Sequence, residues 1–269
     1  AKQAIDDNFS RYSPVPGYPA LREAICAKLK NENGLDYTPA QISCSNGAKQ
    51  CVCNAVMALA GKGDEVIIPA PYWVSYPQMV LLADATPVYI EAGIEQDFKI
   101  TPAQLEAAIT PATRAIILCS PSNPTGSVYT QEELEGLAEV LRRHERVIVI
   151  SDEIYAELTY GKRHVSIASI DGMRERTILV SGFSKAYSMT GWRLGYSLAP
   201  KPLTDAMTKL HQFAIMSAPT TAQYAAIEAL RNGDKDVQKM RDEYDMRRRL
   251  VVKRFREMGL SCFEPEGAF

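Results

Sequence analysis

The sequence predicts an α/β protein built as three layers, α/β/α, around a mainly parallel central sheet. Two observations carry this. Short β-branched runs alternate along the chain with longer amphipathic segments. The residues best suited to chemistry fall directly after those runs, where ligands gather in parallel sheets. No internal repeat or low-complexity segment suggests a solenoid or a fibrous protein instead.

The elements follow in order. Residues 21–30 place Leu21, Ile25 and Leu29 at helical spacing and stop near Gly34. Residues 50–59 read as a second helix. Residues 64–69 hold Val66, Ile67 and Ile68 between Gly63 and two prolines, as a buried strand does. Residues 86–91 form another strand. Residues 101–109 open with Thr-Pro, a helix start with Pro at its first position. Residues 114–119 and 146–150 are β-branched runs. Between them, 131–143 is a helix begun by Thr130 with Glu133 three residues on, a capping-box pattern. Residues 176–181 and 192–198 supply two more strands. The pattern is then helical over 201–258, with breaks near Pro219 and Gly233, and residues 261–269 read as a last strand running into Pro-Glu-Gly.

Composition narrows the function classes. The 269 residues suit one large domain, or one plus part of another. Thirty Lys and Arg against 32 Asp and Glu give a net charge of −2, which offers no basis for attraction to nucleic acid or an anionic membrane. The basic run Arg247–Arg248–Arg249 follows Asp242, Glu243 and Asp245 and reads as a solvated helix face. No apolar stretch is long enough to span a bilayer, and the first residues lack the zones of a signal peptide. The six cysteines lie among apolar neighbours. They read as buried free thiols of a reducing, cytoplasmic compartment. Cys51 and Cys53 have no second cluster to complete a zinc site, so no metal is expected.

The segment with most chemical content is 181–195, Ser-Gly-Phe-Ser-Lys-Ala-Tyr-Ser-Met-Thr-Gly-Trp-Arg-Leu-Gly. Lys185 follows a buried strand among small and apolar residues, where burial lowers an amine's pKa and frees it as a nucleophile. Alone it would read as a surface lysine. Arg193, flanked by Gly191 and Gly195, adds a bidentate fork suited to phosphate. A Schiff-base lysine beside a phosphate-binding arginine is what pyridoxal 5′-phosphate (PLP) requires. Asp152 follows an apolar strand and could pair with a protonated pyridine nitrogen; a helix N-cap is the plain alternative. Tyr155 lies three residues on. Asn123 sits in Ser-Pro-Ser-Asn-Pro-Thr-Gly, which could equally be a rigid turn. The amides around Gly47, Ala48 and Lys49 open a helix and form an anion site, though a lone Gly-x-Lys is weak evidence.

These segments, with Pro-Tyr-Trp-Val-Ser-Tyr at 71–76 and the stretch 12–22, resemble the PLP-dependent aminotransferases of fold type I, class I/II, the aspartate aminotransferase group. The resemblance covers essentially the whole chain. It implies that Lys185 carries PLP and shuttles a proton, and that Asp152 pairs with the ring nitrogen. Asn123 and Tyr155 would bind the ring O3′, Ser184 and Arg193 the phosphate together with the 47–49 amides, and Trp73 would stack on the ring. A core aromatic is the competing reading for Trp73. Tyr12 would reach the phosphate of a neighbouring subunit in a homodimer. Gly182 stands three before the lysine, where some members have a phosphate-binding serine, which shifts weight onto Ser184 and Arg193. Lys49 would meet the distal carboxylate of an acidic substrate, or else stand in solvent at a helix end.

The implied reaction transfers an amino group from an amino acid, aspartate or another acidic one, to a 2-oxo acid. Relatives that eliminate, decarboxylate or cyclise share the lysine region, and a non-catalytic PLP-binding module is a third reading. The family holds the substrate α-carboxylate with an arginine well beyond a Gly-Ala-Phe like that at 267–269. The chain therefore reads as a PLP-binding large domain over 1–240, then a linking helix and the start of an incomplete small domain over 241–269. On that reading it binds PLP and transaminates poorly by itself.

Overall fold

The sheet is made of β1 (Ile42–Ser45), β2 (Glu65–Ala70), β3 (Thr86–Glu91), β4 (Thr113–Cys119), β5 (Ile148–Asp152), β6 (Thr177–Gly182) and β7 (Gly195–Leu198). In the computed structural model, which describes residues 1–268, they run in the order β1-β7-β6-β5-β4-β2-β3. Parallel pairing joins β6, β5, β4, β2 and β3, while β7 runs antiparallel to both β1 and β6. Phe269, at the end of the expected last strand and of the 241–269 segment, lies outside the described residues.

The helices are α1 (Lys2–Asp6), α2 (Pro19–Asn33), α3 (Ala48–Leu59), α4 (Ser75–Leu82), α5 (Pro102–Ala108), α6 (Gln131–Arg143), α7 (Lys201–Ala214), α8 (Thr220–Asn232) and α9 (Asp234–Glu257). Both expected Thr caps are present: Thr101 accepts from the Gln104 amide and Thr130 from the Glu133 amide, each within a reciprocal capping box.

Strand side chains alternate between two apolar layers, as a sheet covered on both faces demands. Val66, Ile68, Ala115, Ile117, Ile150, Ile178 and Val180 pack with Val52, Val56, Tyr76 and Met207 of α3, α4 and α7. Their neighbours point the other way. Ile67, Ile116, Leu118 and Val149 meet Leu105 of α5 and Leu134, Leu137 and Leu141 of α6. On the same side Ile42, Leu179, Tyr196 and Leu198 meet Leu21 and Ile25 of α2 and Ala222 and Ala226 of α8. This is the expected three-layer α/β/α arrangement.

Two expectations need correction. The strand expected over 192–198 is β7 alone. Thr190–Trp192 is a 3-10 turn and Arg193 is left-handed at φ 52°, because the chain must wrap to bring its guanidinium under Gly47. The terminal strand expected over 261–269 is only a Thr159–Gly267 bridge. There the amides of Glu266 and Gly267 both donate to the Gly126 carbonyl, so the tail docks on a loop and extends no sheet. Helix α9 runs unbroken through residues 240 and 241.

Candidate active site

The ends of β1, β4, β5 and β6 converge on one cavity of about 210 Å³. Its wall includes Ala48, Lys49, Trp73, Asn123, Asp152, Tyr155, Ser184, Lys185 and Arg193, so nine of the expected residues come together. Gly47 stands directly behind Arg193. Tyr12 is the exception: it does not line this cavity, and its side chain is 82% exposed. Among the described residues no group of three or more His, Cys, Asp or Glu could hold a metal, and no helix is long and apolar enough to cross a membrane.

Asp152 ends β5 at the inner wall. It is 4% exposed, and burial raises its pKa while hydrogen bonds pull it back. Tyr76 Oη donates to Oδ2 at 2.7 Å, and the Ile154 amide donates to Oδ1 at 3.2 Å. No helix starts after Asp152, so it is not a helix N-cap; one oxygen serves the turn and the other takes the tyrosine. Tyr76 lies in the 71–76 segment, but nothing in the sequence joins it to Asp152. Cys119 also lines the wall, opposite Asp152 across the β4–β5 pair, and burial pushes its thiol up to about 12. It is no nucleophile at neutral pH.

Lys185 follows β6 by three residues and lies 5.6 Å from the Tyr155 ring centroid. Burial and the charge of Arg193 both lower its pKa. Asn123 Nδ2 donates to Tyr155 Oη at 3.3 Å, which links the β4 and β5 loops across the site. Trp73 meets Tyr76 edge-on, and the Lys49 ammonium lies 4.8 Å from its ring centroid. Trp73 is half-buried, packed against the core on one side and open to the cavity on the other, while Lys49 is exposed but faces Trp73.

The outer wall is backbone and guanidinium. Arg193 Nη1 donates to the Thr190 carbonyl at 2.7 Å and Nη2 to the Asn46 carbonyl at 3.3 Å. A Cβ on Gly47 would stand 2.5 Å from Nη2, and one on Gly195 2.3 Å from the Ala48 amide nitrogen. Only glycine allows β7 and the start of α3 to close around this spot. Gly182 is equally confined, its missing Cβ falling 2.8 Å from the Gly195 Cα. A serine there would have to shift β7, which accounts for the departure noted in the sequence.

A buried carboxylate, a lysine and an anion cradle at a helix start define a site for a phosphorylated pyridine cofactor on a three-layer α/β fold. The chain belongs to the aminotransferase class I and II family, whose match spans residues 1–269. These enzymes use PLP. It is similar to the aspartate/prephenate aminotransferase of Cereibacter sphaeroides, 49% identical over 100% of this chain and 68% of that protein. It is also similar to the aspartate aminotransferase of Geobacillus stearothermophilus, 46% identical over 100% of this chain and 69% of that one. Among solved structures, the Thermus thermophilus aspartate aminotransferase with maleate superposes with a TM-score of 0.96 at 40% identity, covering 100% of this chain and 70% of that one. The aromatic aminotransferase of Pyrococcus horikoshii gives 0.96 at 44% identity, covering 100% and 73%.

The residues present fit PLP. Among the described residues on the wall Asp152 offers the one deeply buried carboxylate, Lys185 offers the amine, and Gly47 and Gly195 let Arg193 and the first amides of α3 stand close together.

Proposed function

We propose that this chain transfers the amino group of an acidic amino acid, aspartate foremost, to a 2-oxo acid, with PLP held by the residues just described. The observation that carries the site assignment is the cavity itself, which brings Asp152, Lys185 and Arg193 onto one wall. The relatives' names carry the acidic donor: aspartate or aspartate/prephenate aminotransferases match along the whole chain.

PLP, when bound, supplies an electrophilic carbon and a ring that accepts the electron pair left at the substrate Cα. The chain supplies the rest. Asp152 holds a proton on the ring nitrogen by offering a buried carboxylate, which the Tyr76 hydrogen bond aims and whose pKa it pulls down against the burial that raises it. Lys185 takes and returns the substrate proton at Nζ; its lowered pKa keeps more of the amine neutral at a given pH. Asn123 and Tyr155 bind the ring hydroxyl side. Arg193, Ser184 and the amides of Gly47, Ala48 and Lys49 would anchor the phosphate, and Trp73 would offer its ring to the cofactor. Lys49 reads the distal carboxylate of the substrate. The chain works as a homodimer in the cytoplasm: exposed Tyr12 is available to a partner's phosphate, and six free cysteines suit a reducing compartment.

The test is a half-reaction. PLP-loaded protein is mixed with aspartate or alanine and the loss of its visible band is timed. Aspartate is expected to react faster, and Lys49→Ala to lower the aspartate-to-alanine ratio about tenfold. Equal rates for both donors in the parent protein would overturn the acidic-donor reading. An unchanged ratio in the variant would remove Lys49 from it.

A further inference from the structure

Asp152 and Tyr155 are given roles above, but Glu153, between them, is not. It is 3% exposed and does not line the cavity. A buried carboxylate is costly unless well partnered. Glu153 is partnered three times. Oε1 accepts from Ser151 Oγ at 2.9 Å and from Ser166 Oγ at 2.6 Å, and Oε2 accepts from His164 Nε2 at 2.7 Å. His164 is itself buried, and its Nδ1 finds no partner among the described residues. It stands on the wall of a separate polar cleft of about 620 Å³.

The backbone of the same residue reaches the catalytic elements. The Glu153 amide donates to the Val180 carbonyl at 2.8 Å, in the strand that leads to Lys185. Its carbonyl accepts from the Ala156 amide at 3.0 Å, closing the turn that carries Tyr155, and from Ser181 Oγ at 3.4 Å. One residue therefore ties together the chain bearing Asp152, the turn bearing Tyr155 and the strand before Lys185. Its side chain fastens this junction to Ser166, which caps a 3-10 turn whose Ile167 and Ala168 are in the core.

We propose that Glu153 is a positioning residue. Its carboxylate, gripped by Ser151, His164 and Ser166, fixes the junction that aims Asp152 and Tyr155 at the cofactor. Two acidic side chains follow each other at the end of β5 with separate tasks: Asp152 faces the cavity and Glu153 faces away to hold the frame. The inference rests on the cofactor site proposed above.

The chain and its variants are stripped of PLP and titrated with it. Visible absorbance gives the affinity, and visible circular dichroism per bound cofactor gives the fixity of the ring. Melting of the cofactor-free protein is recorded separately. In Glu153→Ala the affinity is expected to fall about tenfold and the dichroism per bound cofactor to drop by half or more. Glu153→Gln, which keeps acceptors for the serines, is expected to recover most of both. A lower melting temperature with full affinity and dichroism would assign Glu153 to stability alone and overturn the proposal. If Glu153→Ala does not fold, Ser166→Ala decides. It removes one of the three donors and must lower the dichroism, and parental values there also overturn the proposal. Failure of the unmodified chain to bind PLP would instead sink the cofactor site.

Discussion

At the inner end of the cavity Asp152 is buried and held by a tyrosine hydroxyl and a backbone amide, whereas at the mouth Arg193, Thr190 and Lys49 stand exposed. The inner end uses side chains in a low-dielectric setting, where one hydrogen bond changes a charge strongly. The outer end relies on shape, with two glycines letting backbone and guanidinium close on each other. A ring nitrogen needs one well-tuned partner, while a phosphate takes many donors and tolerates water. Losses at the inner end should therefore appear in the chemistry, and losses at the mouth in cofactor binding.

The largest effect belongs to the lysine between the two ends. Lys185→Met removes the proposed proton carrier and is expected to lower the transamination rate about 10⁴-fold, read in a steady-state assay. The same substitution sharpens the electrostatic side of the contrast. A lysine whose folded pKa is lowered binds fewer protons folded than unfolded, so its charge opposes folding below that lowered value. The penalty fades as pH rises towards the ordinary lysine value of 10.5. Cofactor-free Lys185→Met is thus expected to melt higher than the parent at pH 7, with the gap closing by about pH 11. A gap that widens with pH would reverse the assignment.

Next in size is Gly195→Ala. Its methyl would sit 2.3 Å from the Ala48 nitrogen, so β7 must back away from α3. A cost of about 1–3 kcal/mol in stability is expected, with PLP affinity weakened more than the turnover of the protein that remains loaded. A turnover loss at saturating PLP would show that the two ends are not separable. The smallest effect is Tyr76→Phe. Removing one donor from a buried carboxylate costs about 1–3 kcal/mol, and it should raise the Asp152 pKa further. Turnover is expected to fall roughly tenfold with PLP affinity little changed, the reverse of the glycine variant.

Much of this was legible in the sequence, for reasons that differ by element. β-Branched runs and Thr capping boxes are local signals, and β2 to β6, α5 and α6 fall where they indicate. Asp152 was legible because it directly ends an apolar run, and Lys185 because Arg193 between two glycines stands eight residues on. The antiparallel direction of β7 was not legible, since a strand's periodicity carries no direction. α4 was missed because Ser75–Leu82 is apolar on nearly all sides and holds Pro77, leaving no 3.6-residue period to see. Tyr76 and Glu153 were passed over because their partners are brought by tertiary folding: Asp152 lies 76 residues from the first, and His164 and Ser166 belong to a loop with no motif of its own.

β7 sits between β1 and β6, and its register pairs Ile42 with Leu198, about 150 residues apart in sequence. The anion cradle at the start of α3 is closed by Gly195 at the edge of that late strand. On the ribosome, the first loop of the site must wait, half-built, until nearly three-quarters of this chain has been made. Nascent chains that stop short of β7 have every donor of the β1–α3 loop but no wall to hold them. They should stay blind to PLP however much is present, so that cofactor capture itself becomes a marker that β7 has docked.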